Sequence, residues 1–255
     1  DSLALANVQL HLEKAYKNFF RDPKVGFPRF KSKHHSKNSY TTNVVNGNIL
    51  VEDNRIRLPK LKWIAMKKHR EPAENCRLKS VTVRMEPSGK YFASLLYEGY
   101  SCENQAADKD YSNAKILGID YAMQGMAVFS EEIEMEEAGF FRKNEKRLAR
   151  EQRKLSRCVK GSRNYVRQKK KVARCHEKIR SQRRDYLHKL SRRITDQYDI
   201  VAVEDIDMKA MSRCLHFGKS VQDNGYGMFR NMLDYKLTWK GKELGKVDRF
   251  FPSSK

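Results

Sequence analysis

The sequence predicts two successive domains, a β-rich domain of α+β type built on a small barrel and an α/β domain that carries a long, basic helical pair. Three observations predict this organisation. Short β-branched runs separated by turn residues fill residues 39–100, strand-like and helix-like segments alternate from Lys115 onward, and Lys and Arg are concentrated between Arg142 and Arg193. The polar, acidic stretch 101–114 is typical of a linker between such domains.

Residues 1–20 predict the end of a helical region that precedes the barrel. Apolar residues recur there every two to four positions, and Asp1 or Ser2 can cap the first turn. Pro23 and Gly26 then prevent the helix from continuing.

Residues 21–112 are predicted to form the barrel or a curled sheet. Asn46-Gly47 lies between two β-branched runs, which is a strong signal for a hairpin. Pro87-Ser88-Gly89 predicts a second turn, from which Tyr91–Tyr97 returns as a strand. Basic residues punctuate these strands, so a solvated strand face and a nucleic-acid-binding face are equal alternatives.

Residues 113–255 form the predicted α/β domain, and its two long helices hold most of the charge. Between Arg142 and Arg193 there are 22 Lys and Arg against 4 Asp and Glu, which leaves +18 of the formal net charge of +22. Apolar residues keep a helical period there, and Gly161-Ser162 supplies a break and a new N-cap.

A solvated surface is the alternative interpretation of this charge, but such a surface usually carries charges of both signs. Helices this basic bind phosphate backbones without reading sequence. The predicted contact residues are Arg153, Lys154, Arg157, Lys160, Arg163, Arg167, Lys169, Lys170, Lys171, Arg174, Arg183 and Arg184.

Two carboxylates stand at the ends of predicted buried strands. Asp120 follows the apolar residues of "KILGI", and Glu204 follows those of "DIVAV". Because ligands bind at the carboxyl edge of α/β sheets, we expect the two side chains to lie together and to repel each other unless a cation sits between them. Carboxylates are ligands that Mg²⁺ or Mn²⁺ prefers, so Asp120 and Glu204 predict a metal site.

Structural roles are the alternatives for these acidic residues. A capping or otherwise structural carboxylate is as plausible as a ligand for Asp120 taken alone. Strand alternation directs Asp205 away from Glu204. Asp207 could instead cap the predicted helix "MKAMSRCL".

Composition excludes several other classes. The cysteines are scattered without a C-x-x-C pair, so neither a disulfide framework nor a zinc site is supported. No apolar run is long enough to cross a membrane, no signal peptide opens the chain, and a membrane surface is a weaker partner than nucleic acid for a charge of this size. We therefore expect a cytoplasmic, nucleoid-associated protein without a membrane partner.

Several stretches resemble the TnpB (OrfB) family of transposon-encoded nucleases, which are related to the miniature type V CRISPR effectors. They are "GIDYAMQGMAVFS", the basic segment "KNEKRLAREQRKLSRCVKGSRNYVRQKKK", "VAVEDIDMKAM" and "GKVDRFFPSSK". The resemblance implies an oligonucleotide-binding-like barrel followed by a RuvC-like, RNase H-type nuclease domain. It also implies a prokaryotic setting, a guide RNA and a target DNA as partners, and Asp120 and Glu204 as the catalytic aspartate and glutamate.

The sequence departs from the family pattern at both ends, and its first residues already lie inside the family's helical region. The family continues past "PSSK" into a four-cysteine zinc ribbon and a third catalytic aspartate, whereas this sequence stops at Lys255. Neither Asp234 nor Asp248 matches that aspartate. We therefore expect residues 1–255 to be a fragment that binds RNA and DNA without detectably cutting DNA. The alternative is a non-catalytic RNA- or DNA-binding module derived from such a nuclease.

Overall fold

The computed structural model describes residues 1–30, 32, 38–99, 112–122, 126–134, 139–207 and 225–248. The chain divides into two compact units, Asp1–Cys102 and Glu103–Lys255. Each unit contains buried apolar residues of its own. The boundary between them falls inside the polar stretch that the sequence predicts as a linker.

Helix α1 (Ser2–Arg21) opens the first unit. The Asp1 side chain caps it by accepting a hydrogen bond from the Leu3 backbone N–H at 3.1 Å, which confirms the predicted start. The apolar residues of the helix are less buried than their spacing suggests, since Leu5 and Val8 remain largely exposed. The periodicity therefore predicted the helix correctly but not the burial of its apolar residues.

Two three-stranded antiparallel sheets make up the rest of the first unit. One has the order β1-β5-β6 and the other β2-β3-β4. Their strands are β1 (Ser39–Asn43), β2 (Leu50–Glu52), β3 (Arg55–Leu58), β4 (Lys62–Ala65), β5 (Arg77–Met85) and β6 (Tyr91–Glu98). A small core of Ile49, Ile56, Leu58 and Val81 lies between them. The strands of the described residues do not close into the barrel that the sequence predicts, because the six strands pair as two separate sheets.

The two turns predicted in this unit have different outcomes. Asn46 and Gly47 form a turn with φ values of 50° and 68°, but β1 pairs with β5 and β2 pairs with β3. The predicted hairpin is therefore wrong, since this turn carries the chain from one sheet into the other. The second turn is confirmed: β5 and β6 pair, Gly89 has a φ of 85°, and the Glu86 N–H donates to the Lys90 carbonyl at 2.9 Å.

The second unit is an α/β arrangement around a four-stranded sheet of order β10-β9-β7-β8. Strands β7, β9 and β10 are parallel, and β8 is antiparallel to β7. The elements are β7 (Ile116–Ala122), β8 (Met126–Phe129), α2 (Phe140–Ser156), α3 (Arg163–Gln197), β9 (Ile200–Glu204), α4 (Tyr226–Trp239) and β10 (Glu243–Val247). Helices α3 and α4 contribute to the same core as the strands. That core includes Leu117, Ile119, Leu187, Leu190, Ile194, Val201, Val203, Phe229, Leu233 and Leu237.

Helices α2 and α3 form the predicted basic pair. Gly161 has a φ of 86°, and the Ser162 hydroxyl caps α3 by accepting from the Tyr165 N–H at 3.1 Å, as predicted. The buried Gln168 side-chain amide joins the helices by donating to the Glu151 carbonyl at 3.0 Å and to its carboxylate at 2.7 Å. The end of α2 differs from the prediction, because the helix stops at Ser156, before the Gly161 turn.

The C-terminal end of α3 fixes the start of two strands. Lys242 donates to the carbonyls of Thr195 and Tyr198 at 3.1 and 2.9 Å, which satisfies orphan carbonyls at a helix end. Asp199 pairs with Lys242 at 3.1 Å, and its carboxylate accepts from the Lys115 N–H at 3.2 Å. Strands β7 and β9 therefore begin in register. Among the helices that the structure describes, none is long and apolar enough to cross a membrane.

Candidate metal centre and cationic helical pair

Asp120 and Glu204 occupy equivalent positions on neighbouring parallel strands. Ile119 of β7 pairs with Val203 of β9, and the two carboxylates follow these residues directly. Parallel strands lie about 4.8 Å apart, and residues at the same register position share a face. The predicted position of the two carboxylates, at the same edge of the sheet, is therefore confirmed.

The two carboxyl groups interact with each other. Partial burial raises the pKa of Glu204, and a hydrogen bond with Asp120 and the negative charge of that group raise it further. Asp120 itself is exposed, so the edge is more open to solvent than its apolar sequence surroundings suggest. Two acidic groups held this close favour a shared proton or an added cation.

The raised pKa of Glu204 gives a prediction for the metal-free chain. A group whose folded pKa lies above its ordinary value of 4.5 contributes stability below that pH and loses it as the pH rises through the folded pKa. Asp120→Asn removes the like charge, so we expect the variant in EDTA to be more stable than the unaltered chain at pH 7 and equal to it near pH 4. Melting temperatures across this range test the prediction, and a constant difference would contradict it.

Tyr226, at the start of α4, lies beside the carboxylates. Its ring centroid is 5.0 Å from that of Tyr121, and its hydroxyl is buried without a hydrogen-bond partner among the described residues. Burial raises the pKa of Tyr226 to about 12; Arg230 opposes this rise, while Asp120 and Glu204 add to it. A neutral hydroxyl therefore stands next to the acidic pair, and sequence periodicity gave no signal for it.

The other acidic candidates do not join the pair. Asp205 lies in an ion pair with Arg230 at 3.1 Å, so its charge is already engaged by a basic side chain. Asp234 is exposed on α4, and Asp248 follows Val247, the register partner of Glu204. Since side chains alternate along a strand, Asp248 is on the opposite face.

A third protein ligand is not found in the part of the chain that the structure describes. No group of three or more His, Cys, Asp or Glu side chains there is arranged to hold a metal ion. The helix "MKAMSRCL" that Asp207 was predicted to cap, and the "PSSK" stretch, lie outside the described residues.

The predicted phosphate-contacting residues lie along α2, α3 and the turn between them. All are exposed except Arg183. The Arg183 side chain packs against the start of α4, where its Cδ would come within 3.0 Å of a Cβ at Gly225. Gly225 has a φ of 68°, so the backbone conformation favours glycine there, and a Cβ would make tight contacts with Arg183. Arg183 is thus partly structural, and the remaining residues form an accessible cationic surface.

The parallel strands thus carry an acidic edge, and the adjoining helices carry a cationic surface. Residues 99–215, which contain both carboxylates and both helices, match the family OrfB_IS605, described as "Probable transposase". Over these residues the chain is similar to this family, which is also called TnpB.

Two curated relatives are similar over nearly the whole chain. "Putative RNA-guided DNA endonuclease InsQ" of Escherichia coli K12 is 32% identical over 259 residues, which is 96% of this chain and 62% of the relative. A "Putative RNA-guided DNA endonuclease" of Streptomyces pristinaespiralis is 32% identical over 259 residues, which is 100% of this chain and 61% of the relative. The chain therefore spans about three fifths of the length of these relatives.

A solved structure also resembles the chain. A chain of the cryo-EM structure of the Cas12f1-sgRNA-target DNA complex matches with a TM-score of 0.49 and 14% sequence identity. The match covers 91% of this chain and 58% of that chain.

Proposed function

We propose that this chain contains the catalytic edge and the nucleic-acid-binding helices of an RNA-guided DNA endonuclease with a RuvC-like, RNase H-type domain. In this proposal the partners are a guide RNA and a target DNA, and the cofactor is Mg²⁺ or Mn²⁺. The relatives' names, which describe them as putative RNA-guided DNA endonucleases, support the reaction class. The observation that carries the proposal for this chain is the placement of Asp120 beside Glu204.

The chemistry of the two side chains fits a divalent ion. Both are carboxylates, the ligand type that Mg²⁺ and Mn²⁺ prefer, and their mutual repulsion would be relieved by a cation. The exposure of Asp120 leaves room for water and phosphate oxygens to complete the coordination. Asp120 and Glu204 would hold the ion, which would supply Lewis-acid activation of water and charge stabilisation at the phosphate.

In this proposal the cationic helices α2 and α3 bind the nucleic acid. Their charge is spread along two helices fixed to each other by Gln168 and by the apolar contacts of Leu148, Cys175 and Ile179. Lys and Arg side chains on a rigid surface bind the regularly spaced phosphates of a nucleic-acid backbone, whatever the bases are. Base pairing between guide and target, rather than side chains of these helices, would then read the sequence.

Thermal stability measured with and without Mg²⁺ tests the proposed metal ligands. We expect Mg²⁺ at ten times its dissociation constant to stabilise the chain by about 1.4 kcal/mol, because an ion that binds only the folded state shifts the unfolding equilibrium. The melting temperature should rise by about 3–6 °C. Asp120→Asn should remove most of this rise, and Mn²⁺ should behave like Mg²⁺.

Asp248→Asn is the matched control, since it removes one negative charge from the same sheet edge but from the opposite face. We expect it to keep the full response to Mg²⁺. An equal response in the Asp120→Asn variant would contradict the metal site. The result would instead favour the non-catalytic binding module, which needs the basic helices but not a metal at Asp120.

A further inference from the structure

The sheet β2-β3-β4 of the first unit has one face in the core and one face outside it. Ile56 and Leu58 of β3 are buried, so their neighbour Arg57 points outward. Arg57 is directly opposite Leu50 on one side and Trp63 on the other. The next outward row consists of Glu52, Arg55 and Ala65. These six residues are called the Trp63 face below.

An exposed tryptophan lies on this face in an edge strand. All four residues of β4, Lys62–Ala65, are exposed, and 39% of Trp63 is accessible. Apolar side chains that are exposed on an edge strand favour contact with a partner. Lys60 and Lys62 both precede the tryptophan in sequence, and their charge makes an acidic partner the complementary one.

Two arginine side chains place their positive charges close to the Trp63 ring. The guanidinium carbon of Arg55 lies 4.8 Å from the centroid of the Trp63 ring, and that of Arg57 lies 6.0 Å away. Both arginines are themselves fixed: Arg55 donates to the Glu52 carboxylate at 2.7 Å, and Arg57 donates to the Gly47 carbonyl at 2.7 Å. Glu52 is the sole acidic residue of the face, and Arg55 already engages it.

We propose that the Trp63 face binds single-stranded RNA by stacking an unpaired base on Trp63, with Arg55 and Arg57 beside the neighbouring phosphates. This inference rests on the proposed function, because it takes RNA as a partner. Sheet surfaces with exposed aromatic and basic side chains suit splayed, unpaired bases, whereas bases inside a duplex cannot reach an aromatic ring. Folded RNAs expose such bases in loops and bulges, so RNA is the partner that this surface fits.

Fluorescence gives a direct test, because the chain has 2 tryptophans. Trp239 lies on α4 in the second unit, so the Trp239→Phe variant leaves Trp63 as the only indole. An oligoadenylate RNA of about 12 nucleotides should quench its emission on binding, since a stacked base contacts the ring. A blunt RNA duplex of the same length should bind the chain without quenching Trp63.

Affinities provide the second test. Trp63→Ala should bind the oligoadenylate about 10-fold more weakly, Trp63→Phe should retain most of the affinity, and both should bind the RNA duplex like the unaltered chain. Trp239→Ala is the matched control, because it removes an exposed tryptophan outside the face. It should leave the affinity for both RNAs unchanged. Circular dichroism verifies that each variant is folded, and Trp63→Phe keeps the test decisive if Trp63→Ala is unfolded.

Three outcomes would overturn the inference. The first is that oligoadenylate does not quench Trp63 emission, and the second is that Trp63→Ala binds oligoadenylate as tightly as the unaltered chain. The third is that oligodeoxyadenylate shows the same dependence on Trp63, because the surface would then bind single strands of either RNA or DNA. Failure of the proposed function is recognised separately. In that case, Asp120→Asn would keep the full stabilisation by Mg²⁺, and this result is independent of the RNA affinity of the Trp63 variants.

Discussion

The triple variant Lys169→Glu, Lys170→Glu, Lys171→Glu is expected to bind duplex RNA and duplex DNA about 10³-fold more weakly than the unaltered chain at about 50 mM salt. All three side chains are exposed on α3. Each phosphate contact contributes about 0.9 to the slope of log affinity against log salt, so loss of three contacts lowers the slope by about 2.7. Titrations at several salt concentrations with two unrelated duplex sequences measure both quantities.

The loss should be the same for every sequence, because contacts to phosphates position the duplex without reading it. The matched control changes Lys14, Lys17 and Lys24 to glutamate, which alters the net charge equally at exposed positions of the first unit. It should cost far less affinity than the α3 variant. An equal loss in both variants would show that the total charge, rather than the helical pair, determines binding.

Phe229→Ala is expected to lower the free energy of unfolding of the second unit by about 3–5 kcal/mol. The Phe229 side chain is fully buried in the core between the sheet, α3 and α4, and its removal leaves a cavity that close-packed neighbours fill only in part. Urea unfolding followed by Trp239 emission in a Trp63→Phe background reports this unit, since Trp239 terminates α4.

Met228→Ala is the control on the same helix. Met228 is 40% exposed, so its truncation should change the stability by less than about 1 kcal/mol. If the two variants unfold at the same urea concentration, the packing of α4 against the sheet is not as described. The position of Tyr226 beside the carboxylates would then lose its support as well.

The features that sequence reasoning predicted correctly depend on local chemistry or on simple topology. Asp1 and Ser162 cap helices because a short polar side chain before an apolar-periodic segment satisfies free N–H groups in any context. Asp120 and Glu204 meet because parallel strands of one sheet end at the same edge, so two apolar runs that each end in a carboxylate predict their proximity.

The features that were missed depend on contacts between distant segments. The Asn46-Gly47 turn has the expected backbone, yet nothing local determines that its two strands join different sheets. Alternation predicted exposed basic strands but could not show that Trp63 stands opposite Arg57, which requires the register of β3 and β4. Tyr226 reaches the acidic pair only through the packing of α4, for which its sequence surroundings carry no signal.

The register of β7 and β9 also sets an order of events in synthesis. Lys115 and Asp199, which bond the starts of these strands, are separated by 84 positions, and α2 and α3 fill most of that interval. A ribosome releases the chain from its N-terminus, so the cationic helices emerge before β9 exists to pair with β7. Closing such a long loop is also slower than forming a helical hairpin. The nascent polypeptide therefore acquires its cationic helical pair first and its paired carboxylates afterwards. The surface proposed to bind nucleic acid is thus complete before the acidic edge has been assembled.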